Sequence, residues 1–435
     1  MSAPRLSRRT LLGGAVASTV VGPYVSASPS VVRRPGGSEM LKIGLVGCGG
    51  RGTGAAVNAL RADPNVKLWA MADAFSDQLE SSLAALTSSE DSADLAPKID
   101  VPPERRFVGW DAYQSVIECC DVVLLATSPH FRSQHLAAVV AAGKHAFVEK
   151  PIATDAPGVR SVRASCELAR QKGLSVVSGL CYRYEHKKRE TIRRLHDGAI
   201  GEILALHTTY NAGGLWHKGR KPEWSEMEYQ MRNWLYFYWL SGDHIAEQHI
   251  HSLDKVAWAM GEYPVRCHAT GGRAVRTEPE YGNVFDHFST VYEFRNGVKA
   301  FSYCRQFAGQ VETEVSDWVV GTRGRCNIQA AEIDGGPGWS WRWRPSGPSD
   351  EPDDMYQNEH DELFAAIRKG EPIQNGEYMC NSTLMALMGR LSAYTGQALT
   401  WEQAWNATED LRPASYAFGP NEVAPLPRPG VTQFV

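Results

Sequence analysis

The chain has 435 residues, a formal net charge of −4 and a pI near 6.4. That length accommodates two domains with large cores, and a mild acidity with no block of like charge gives no basis for binding nucleic acid. Nine cysteines are scattered without C-x-x-C or a Cys/His metal spacing, so neither a disulfide scaffold nor a metal site is expected.

Residues 1–38 read as an export signal and linker rather than as fold. Ser7-Arg8-Arg9-Thr10-Leu11-Leu12 resembles a twin-arginine signal, with Leu11 where Phe is common and no Lys after Leu12. The apolar stretch from Leu11 to Val21 is too short and too rich in Gly and Ala to span a membrane. Val25-Ser26-Ala27 fits a cleavage site. A periplasmic or extracytoplasmic location is therefore expected.

The first folded stretch runs from Leu41 to Asp73. Leu41-Lys42-Ile43-Gly44-Leu45-Val46 predicts a buried strand. Gly47-Cys48-Gly49-Gly50-Arg51-Gly52 follows at once and matches G-x-G-x-x-G, then a helical pattern carries Ala56, Val57 and Leu60 on one face. Gly47 suits a tight turn, Gly49 lets backbone approach a pyrophosphate, and Gly52 lets helix pack on strand, with Gly50 also expected to bind the cofactor. The helix N-terminus then offers free N–H groups to phosphate. Asp73, 21 residues past Gly52, ends the next predicted strand. A carboxylate there can bind both ribose hydroxyls and would repel a 2′-phosphate, so NAD is favoured and NADP is second. Arg51 is expected to close over the pyrophosphate. The surrounding strand, helix and acidic residue make the motif far stronger than a lone glycine-rich turn.

Alternation continues through Ser76–Thr87 (helix), a polar loop over 88–103, Arg106–Val108 (strand), Ala112–Cys119 (helix) and the buried strand Asp121–Ala126. This last opens into Thr127-Ser128-Pro129-His130, at the carboxyl end of the sheet where nucleotides bind. A helix over 135–142, the strand Ala146–Glu149, a helix capped by Thr154-Asp155 and a strand at 174–178 complete a parallel sheet. Past Gly179 the rhythm changes. A basic helix over 185–197 and a strand over 202–210 precede a loop over 212–234 rich in Gly, Trp and charge. Helix lies within 236–261, and five sequential strands fall between 265 and 329. Helices follow at 359–369 and 378–395, then a Pro-rich tail. The expected organisation is a Rossmann-type domain over 39–179, an α/β domain with a mostly antiparallel open sheet over 180–412, and an extended tail over 413–435.

Two clusters carry chemistry. Glu149-Lys150-Pro151 ends a strand beside the predicted cofactor crevice, where a lysine can bond a substrate hydroxyl and stabilise a developing alkoxide. In Gly242–Asp254, helical spacing puts Glu247, His251 and Asp254 on one face. A carboxylate one turn from a histidine can orient it as a base. No third ligand joins His251 and Glu247, so no metal is expected.

These residues resemble the Gfo/Idh/MocA oxidoreductase family, from Leu41 to about Trp405. The resemblance rests on Gly47–Gly52, Thr127-Ser128-Pro129-His130, Ala142-Gly143-Lys144-His145 running into Glu149-Lys150-Pro151, and His251-Ser252-Leu253-Asp254 before Trp258. It implies tightly held NAD or NADP, chemistry on sugars, inositols or related polyols, and an open sheet often used for homo-oligomerisation. It maps the catalytic lysine to Lys150 and the catalytic histidine to His251. Glu247 stands where the family commonly has Asp. Arg183 falls where family members contact nicotinamide or substrate, and Tyr182 and His249 are weaker substrate candidates.

The expectation is an exported NAD(P)-dependent oxidoreductase acting on a sugar or polyol hydroxyl. Trp216, Trp224, Trp234, Trp239, Trp339, Trp341 and Trp343 supply aromatic faces of which one or two would stack on substrate. Export without an external NAD pool gives weight to a redox-neutral glycoside hydrolase on the same fold, which oxidises transiently, eliminates the aglycone and returns the hydride. A non-catalytic sugar-binding protein is the third reading, and Lys150 with His251 argues against it.

Overall fold

The computed structural model describes residues 39–88, 90–344 and 353–435. The export-signal expectation at Ser7–Leu12 and the cleavage expectation at Val25–Ala27 lie outside them. Elements β1 (Leu41–Val46), α1 (Gly50–Ala62), β2 (Val66–Asp73), α2 (Ser76–Ser88), β3 (Arg106–Val108), α3 (Ala112–Cys119), β4 (Val122–Leu125), α4 (Pro129–Ala141), β5 (His145–Val148), α5 (Ala156–Lys172) and β6 (Val176–Ser178) alternate strand with helix. The strands form one parallel sheet in the order β3-β2-β1-β4-β5-β6. This is the doubly wound order of a Rossmann fold, whose crevice opens at the carboxyl ends of β1 and β4. Strand β4 is buried along its whole length, as a central parallel strand with both faces covered must be. Helix α1 turns Ala55, Ala56, Ala59 and Leu60 into the core, and these small side chains let it lie close on the sheet. Asp155 caps α5 by accepting from the Gly158 N–H at 2.7 Å, and Gly173 ends it with φ 67°.

The second half contains α6 (His186–His196), β7 (Ile203–Ala212), α7 (Glu226–Arg232), α8 (Tyr238–Ser241), α9 (His244–Glu247), α10 (Ile250–Met260), β8 (Arg266–Gly272), β9 (His287–Glu293), β10 (Lys299–Gln306), β11 (Glu314–Gly321), β12 (Arg325–Asn327), β13 (Glu332–Asp334) and β14 (Ser340–Arg342). After these come α11 (Met355–Lys369), α12 (Gly376–Thr395), β15 (Leu399–Thr400) and α13 (Trp401–Asn406). The second sheet has nine strands in the order β14-β13-β12-β11-β7-β10-β9-β8-β15. Only β7 and β10 run parallel; the other neighbours are antiparallel. Helix α10 packs against β7 and β11 and against α12.

Three features depart from the sequence reading. The polar loop after α2 contains a 3₁₀ turn over Glu90–Lys98, and the tryptophan-rich loop contains α7. Helix α11 lies on α1, and its Leu363, Phe364 and Ile367 join the Rossmann core. The chain thus returns to the first domain: the Val176 N–H donates to the Ile373 carbonyl, and Asn375 donates back to Val176. A boundary placed at 180 misses this because α11 is continuous in sequence with the second domain. The tail runs without helix or strand, as expected from its prolines. No helix among the described residues is long and apolar enough to cross a membrane.

Candidate active site

The glycine loop is shaped by contacts that only glycine permits. Gly47 leaves β1 with φ 96°, and its N–H donates to the Ala72 carbonyl at 2.8 Å. A Cβ on Gly52 would overlap the Gly47 carbonyl, whereas one on Gly49 or Gly50 would meet nothing within 4 Å. The first pair of glycines closes the turn and the second pair faces open space. That space is a cavity of about 590 Å³, lined by Gly47, Gly49, Gly50, Arg51, Gly52, Asp73, Thr127 and Ser128 among others. Its volume falls in the range of about 300–1,000 Å³ usual for small-molecule sites. A bare-backbone cradle at the N-terminus of α1 fits a pyrophosphate.

Asp73 sits at the cavity edge and braces the loop. Its Oδ2 accepts from the Cys48 N–H at 2.7 Å and its Oδ1 from the Phe75 N–H at 2.9 Å. Burial pushes its carboxyl above the usual range despite these bonds. Arg51 departs from the expected pyrophosphate clamp. Its guanidinium is held by Glu149 at 2.5 Å and Glu359 at 2.9 Å, and lies over the Tyr356 ring. Two buried carboxylates share one cation. Burial works to raise Glu149, but Arg51, Lys150 and Arg132 outweigh it and hold this carboxyl below its usual range. Burial wins at Glu359, which is pushed well up.

Thr127 and Ser128 reach the cavity, and Pro129 opens α4 behind them. His130 does not face the cavity. Its Nε2 meets the Tyr416 hydroxyl at 2.8 Å, its ring packs edge-on against Phe131 and Trp239, and burial pulls its pKa down to about 4. Arg132, which the sequence reading passed over, ties two walls of the site together. It donates to the Thr127 carbonyl at 2.8 Å and to the Pro151 carbonyl at 2.7 Å. Glu149 lies behind Lys150, accepting from its N–H at 3.1 Å.

At the end of β5 the Lys150–Pro151 peptide is cis. Lys150 Nζ donates to the Glu247 carbonyl at 2.5 Å and to Glu247 Oε1 at 3.2 Å. This corrects the expected pairing of Glu247 with His251. The helix breaks at Gln248–His249, so Glu247 ends α9 while His251 lies in the first turn of α10. The two side chains do not share a helix face. Asp254 is also occupied elsewhere, by Arg183 and Ser382.

His251 packs edge-on against Tyr182, with ring centroids 5.2 Å apart, and its buried Nδ1 has no hydrogen-bond partner among the described residues. Burial, then the positive charges of Lys150, Lys255 and Arg51, hold its pKa well below the ordinary value. Tyr182 receives the Gln329 amide at 3.4 Å and the Lys255 ammonium over its ring at 4.3 Å. Lys255 is fully buried and ion-paired with Asp317.

The structure thus pairs Lys150 with Glu247 and His251 with Tyr182, and the Lys150 charge acts on the His251 ring. Two other candidates are held by different partners. Arg183 makes a bidentate pair with Asp254 and is sandwiched between Trp258 and Tyr378, each 4.6 Å away. His249 is fully buried with Nε2 on the Ser302 hydroxyl at 2.6 Å, and burial draws its pKa down to about 3. Of the tryptophans, Trp216 and Trp234 line the cavity, whereas Trp239 lies in an aromatic core. Among the described residues no group of His, Cys, Asp and Glu is arranged to hold a metal ion.

Residues 41–180 match the family model described as an oxidoreductase family with an NAD-binding Rossmann fold, and residues 189–327 match the GFO/IDH/MocA C-terminal domain. The chain belongs to the Gfo/Idh/MocA oxidoreductase family. Its first domain is of the NAD-binding type, which agrees with the glycine cradle and Asp73. Similar proteins include the 2,7-anhydro-N-acetylneuraminate hydratase of Escherichia coli, 28% identical over 41% of this chain and 43% of that protein. A glycosyl hydrolase family 109 protein of Streptomyces coelicolor is 27% identical over 52% of this chain and 48% of its own length. The chain thus spans about half the length of these curated relatives. An inositol 2-dehydrogenase of Rhizobium meliloti is 24% identical over 77% of this chain and 90% of that protein. Among solved structures, levoglucosan dehydrogenase in complex with NADH and levoglucosan superposes with a TM-score of 0.64 at 18% identity, covering 83% of this chain and 99% of that one. The aldose-aldose oxidoreductase of Caulobacter crescentus gives 0.63 at 19%, covering 83% and 100%. These two likenesses bear on the fold.

Proposed function

We propose that this protein moves a hydride between nicotinamide and a hydroxyl-bearing carbon of a sugar or polyol, with the cofactor held through turnover. The observation that carries the reading is a lysine ammonium fixed at the carboxyl end of the Rossmann sheet and acting on a buried histidine whose pKa burial and that charge hold down. NAD, when bound, supplies the two-electron acceptor. His251 is neutral at physiological pH and takes the hydroxyl proton on its imidazole as the carbon gives up hydride. Lys150 has three N–H donors, two of them spent on Glu247. The third is free for the substrate oxygen, where the positive charge stabilises the developing alkoxide. Glu247 fixes the ammonium rather than the imidazole, and Tyr182 walls the ring of His251.

Mass spectrometry of the denatured, purified protein tests cofactor and retention together. Near-stoichiometric release of NAD supports the reading, and release of NADP alone would sink the role given to Asp73. The relatives named as a hydratase and a glycosyl hydrolase favour a second reading, redox-neutral elimination on the same site. Sugar cleavage without accumulation of reduced cofactor would select it.

Two further parts of the proposal rest on separate features. The Arg8-Arg9 signal supports export to the periplasm, and an Arg8→Lys, Arg9→Lys double substitution should leave the protein in the cytoplasmic fraction. Phe301, His207 and Trp318 stand side by side across β10, β7 and β11, and Phe301 and Tyr303 are exposed. Such an aromatic sheet face supports self-association, which light scattering reads as a mass above that of one chain.

A further inference from the structure

The cavity at the glycine loop has walls from both halves of the chain. Gly47, Gly49 and Asp73 form one side; Trp216, Lys218 and Trp234, from the long connection between β7 and α8, form the other. Lys218 is anchored through its backbone. Its N–H donates to Asn233 Oδ1 at 2.8 Å, and Asn233 Nδ2 donates back to the Lys218 carbonyl at 3.0 Å. Its ammonium forms no ion pair among the described residues, although Asp77 and Asp73 are the carboxylates that act on it electrostatically. Burial and Arg232 together weaken its hold on its proton. A half-buried cation with no ion pair among the described residues, lying 5.7 Å from the Trp216 ring in the lining of this cavity, is poised for an anion.

The connection is fastened down over the cavity. Arg232, at the end of α7, donates to both Asp77 oxygens at 2.9 and 3.0 Å, and its guanidinium lies 4.0 Å from the Phe75 ring. Phe75 is the residue whose N–H supports Asp73, and Asp77 lies in the first turn of α2. The tail adds a second fastening. Phe418 stacks on Phe75 at 5.5 Å and meets Trp110 at 5.2 Å. The tail is in turn tied to α7: Met227 N–H donates to the Gly419 carbonyl at 3.0 Å, and Gln230 and Asn421 exchange bonds of 2.8 and 2.9 Å. Phe131, Met227, Tyr229 and Tyr236 form an aromatic core beneath.

We infer that the second domain completes the dinucleotide site: Lys218 contacts a cofactor phosphate, Trp216 and Trp234 cover the adenosine end, and the Arg232–Asp77 pair with Phe418 keeps this roof closed. The inference rests on reading the cavity as the NAD site and adds residues outside the Rossmann domain to it. Cofactor release then requires the roof to lift, so the Arg232 and Phe418 contacts set the rate at which bound NAD exchanges.

The test is exchange of bound NAD for isotopically labelled NAD on the full chain, followed by mass spectrometry of released cofactor. In the wild type exchange is slow. Arg232→Ala and Phe418→Ala each speed it by about tenfold or more, as loss of a bidentate pair or an aromatic stack allows. Asp77→Ala, at a mostly exposed carboxylate, reproduces Arg232→Ala, and the double variant adds nothing further. Lys218→Met weakens NAD affinity by about tenfold without changing the thermal midpoint of the cofactor-free protein. Unchanged exchange in the Arg232, Asp77 and Phe418 variants, with NAD still retained, overturns the roof and leaves the proposed activity standing. A wild type that exchanges as fast as those variants also overturns it. A chain that binds no dinucleotide overturns the reading of the cavity, and the proposed activity with it.

Discussion

Lys150 Nζ bonds both the main-chain carbonyl and the carboxylate of Glu247, so the acid four residues before His251 serves the lysine and not the histidine. This divides the labour of the site between a cation with a fixed position and a base with no carboxylate partner. Lys150→Met should lower kcat/KM by about 10²–10³, the usual loss of one oxyanion donor. Glu247→Ala removes one of two acceptors and should lower it by about tenfold. Both variants should keep their cofactor, which mass spectrometry checks. An equal and complete loss in both would mean that Glu247 does more than hold the ammonium.

His251 should define the acid limb of the pH profile. Its pKa is depressed, so kcat/KM holds as pH falls through the ordinary histidine value of about 6.5 and drops only at lower pH. His251→Asn should remove the limb and cost about 10²–10⁴ in rate. Glu247→Gln should leave the limb in place, because Lys150, Lys255 and Arg51 are the charges that depress it. A limb that moves in Glu247→Gln would restore Glu247 as the partner of His251.

Arg183, paired with the buried Asp254, is expected to act as a strut. Arg183→Met strands a buried Asp254 carboxylate and should cost about 3–5 kcal/mol in denaturant unfolding. The protein that remains folded should show an unchanged KM. A raised KM at unchanged stability would return Arg183 to the substrate site.

The fold was largely legible because its signals are local. The glycine loop, Asp73, and the apolar runs at β1, β4 and β5 each carry their own periodicity or turn chemistry. The partners of the site residues were not legible, because side-chain pairing across the fold is a tertiary fact. Regular helical spacing wrongly joined Glu247 to His251; Gln248 and His249 break the helix, with His249 bonded to Ser302. Arg51, Arg183 and His130 looked free in sequence, yet Glu359, Trp258 and Tyr416 arrive from distant parts of the chain to hold them. The part of the second half that reaches the cavity was hidden likewise, since only packing shows that Lys218 and Asp73 line one cavity.

Buried histidines should make the fold acid-sensitive. Burial holds His130 and His145 at about 4, and His135, His249 and His360 at about 3. Between these values and about 6.5 the unfolded chain binds more protons than the folded one, so stability falls as pH drops. Each histidine contributes roughly 1 kcal/mol per pH unit there. Asp73, Glu359 and Glu409, pushed up by burial, oppose this trend. Unfolding free energy measured from pH 7 downward should decline, and His249→Gln should flatten the slope by one histidine's share. A slope unaltered in that variant would contradict the assignment of His249 as a neutral core residue.

Lys150 and His251 are proposed to drive hydride transfer from a sugar to held nicotinamide. Single-turnover mixing of the NAD-loaded chain with aldoses, inositols and anhydrosugars, read by the near-ultraviolet absorbance of reduced nicotinamide, tests it most directly. At least one of these compounds should reduce the bound cofactor in the wild type. The same compound should leave it oxidised in Lys150→Met and His251→Asn, although both still carry NAD. Reduction at the wild-type rate in either variant, or none with any sugar on fully loaded protein, would contradict the account.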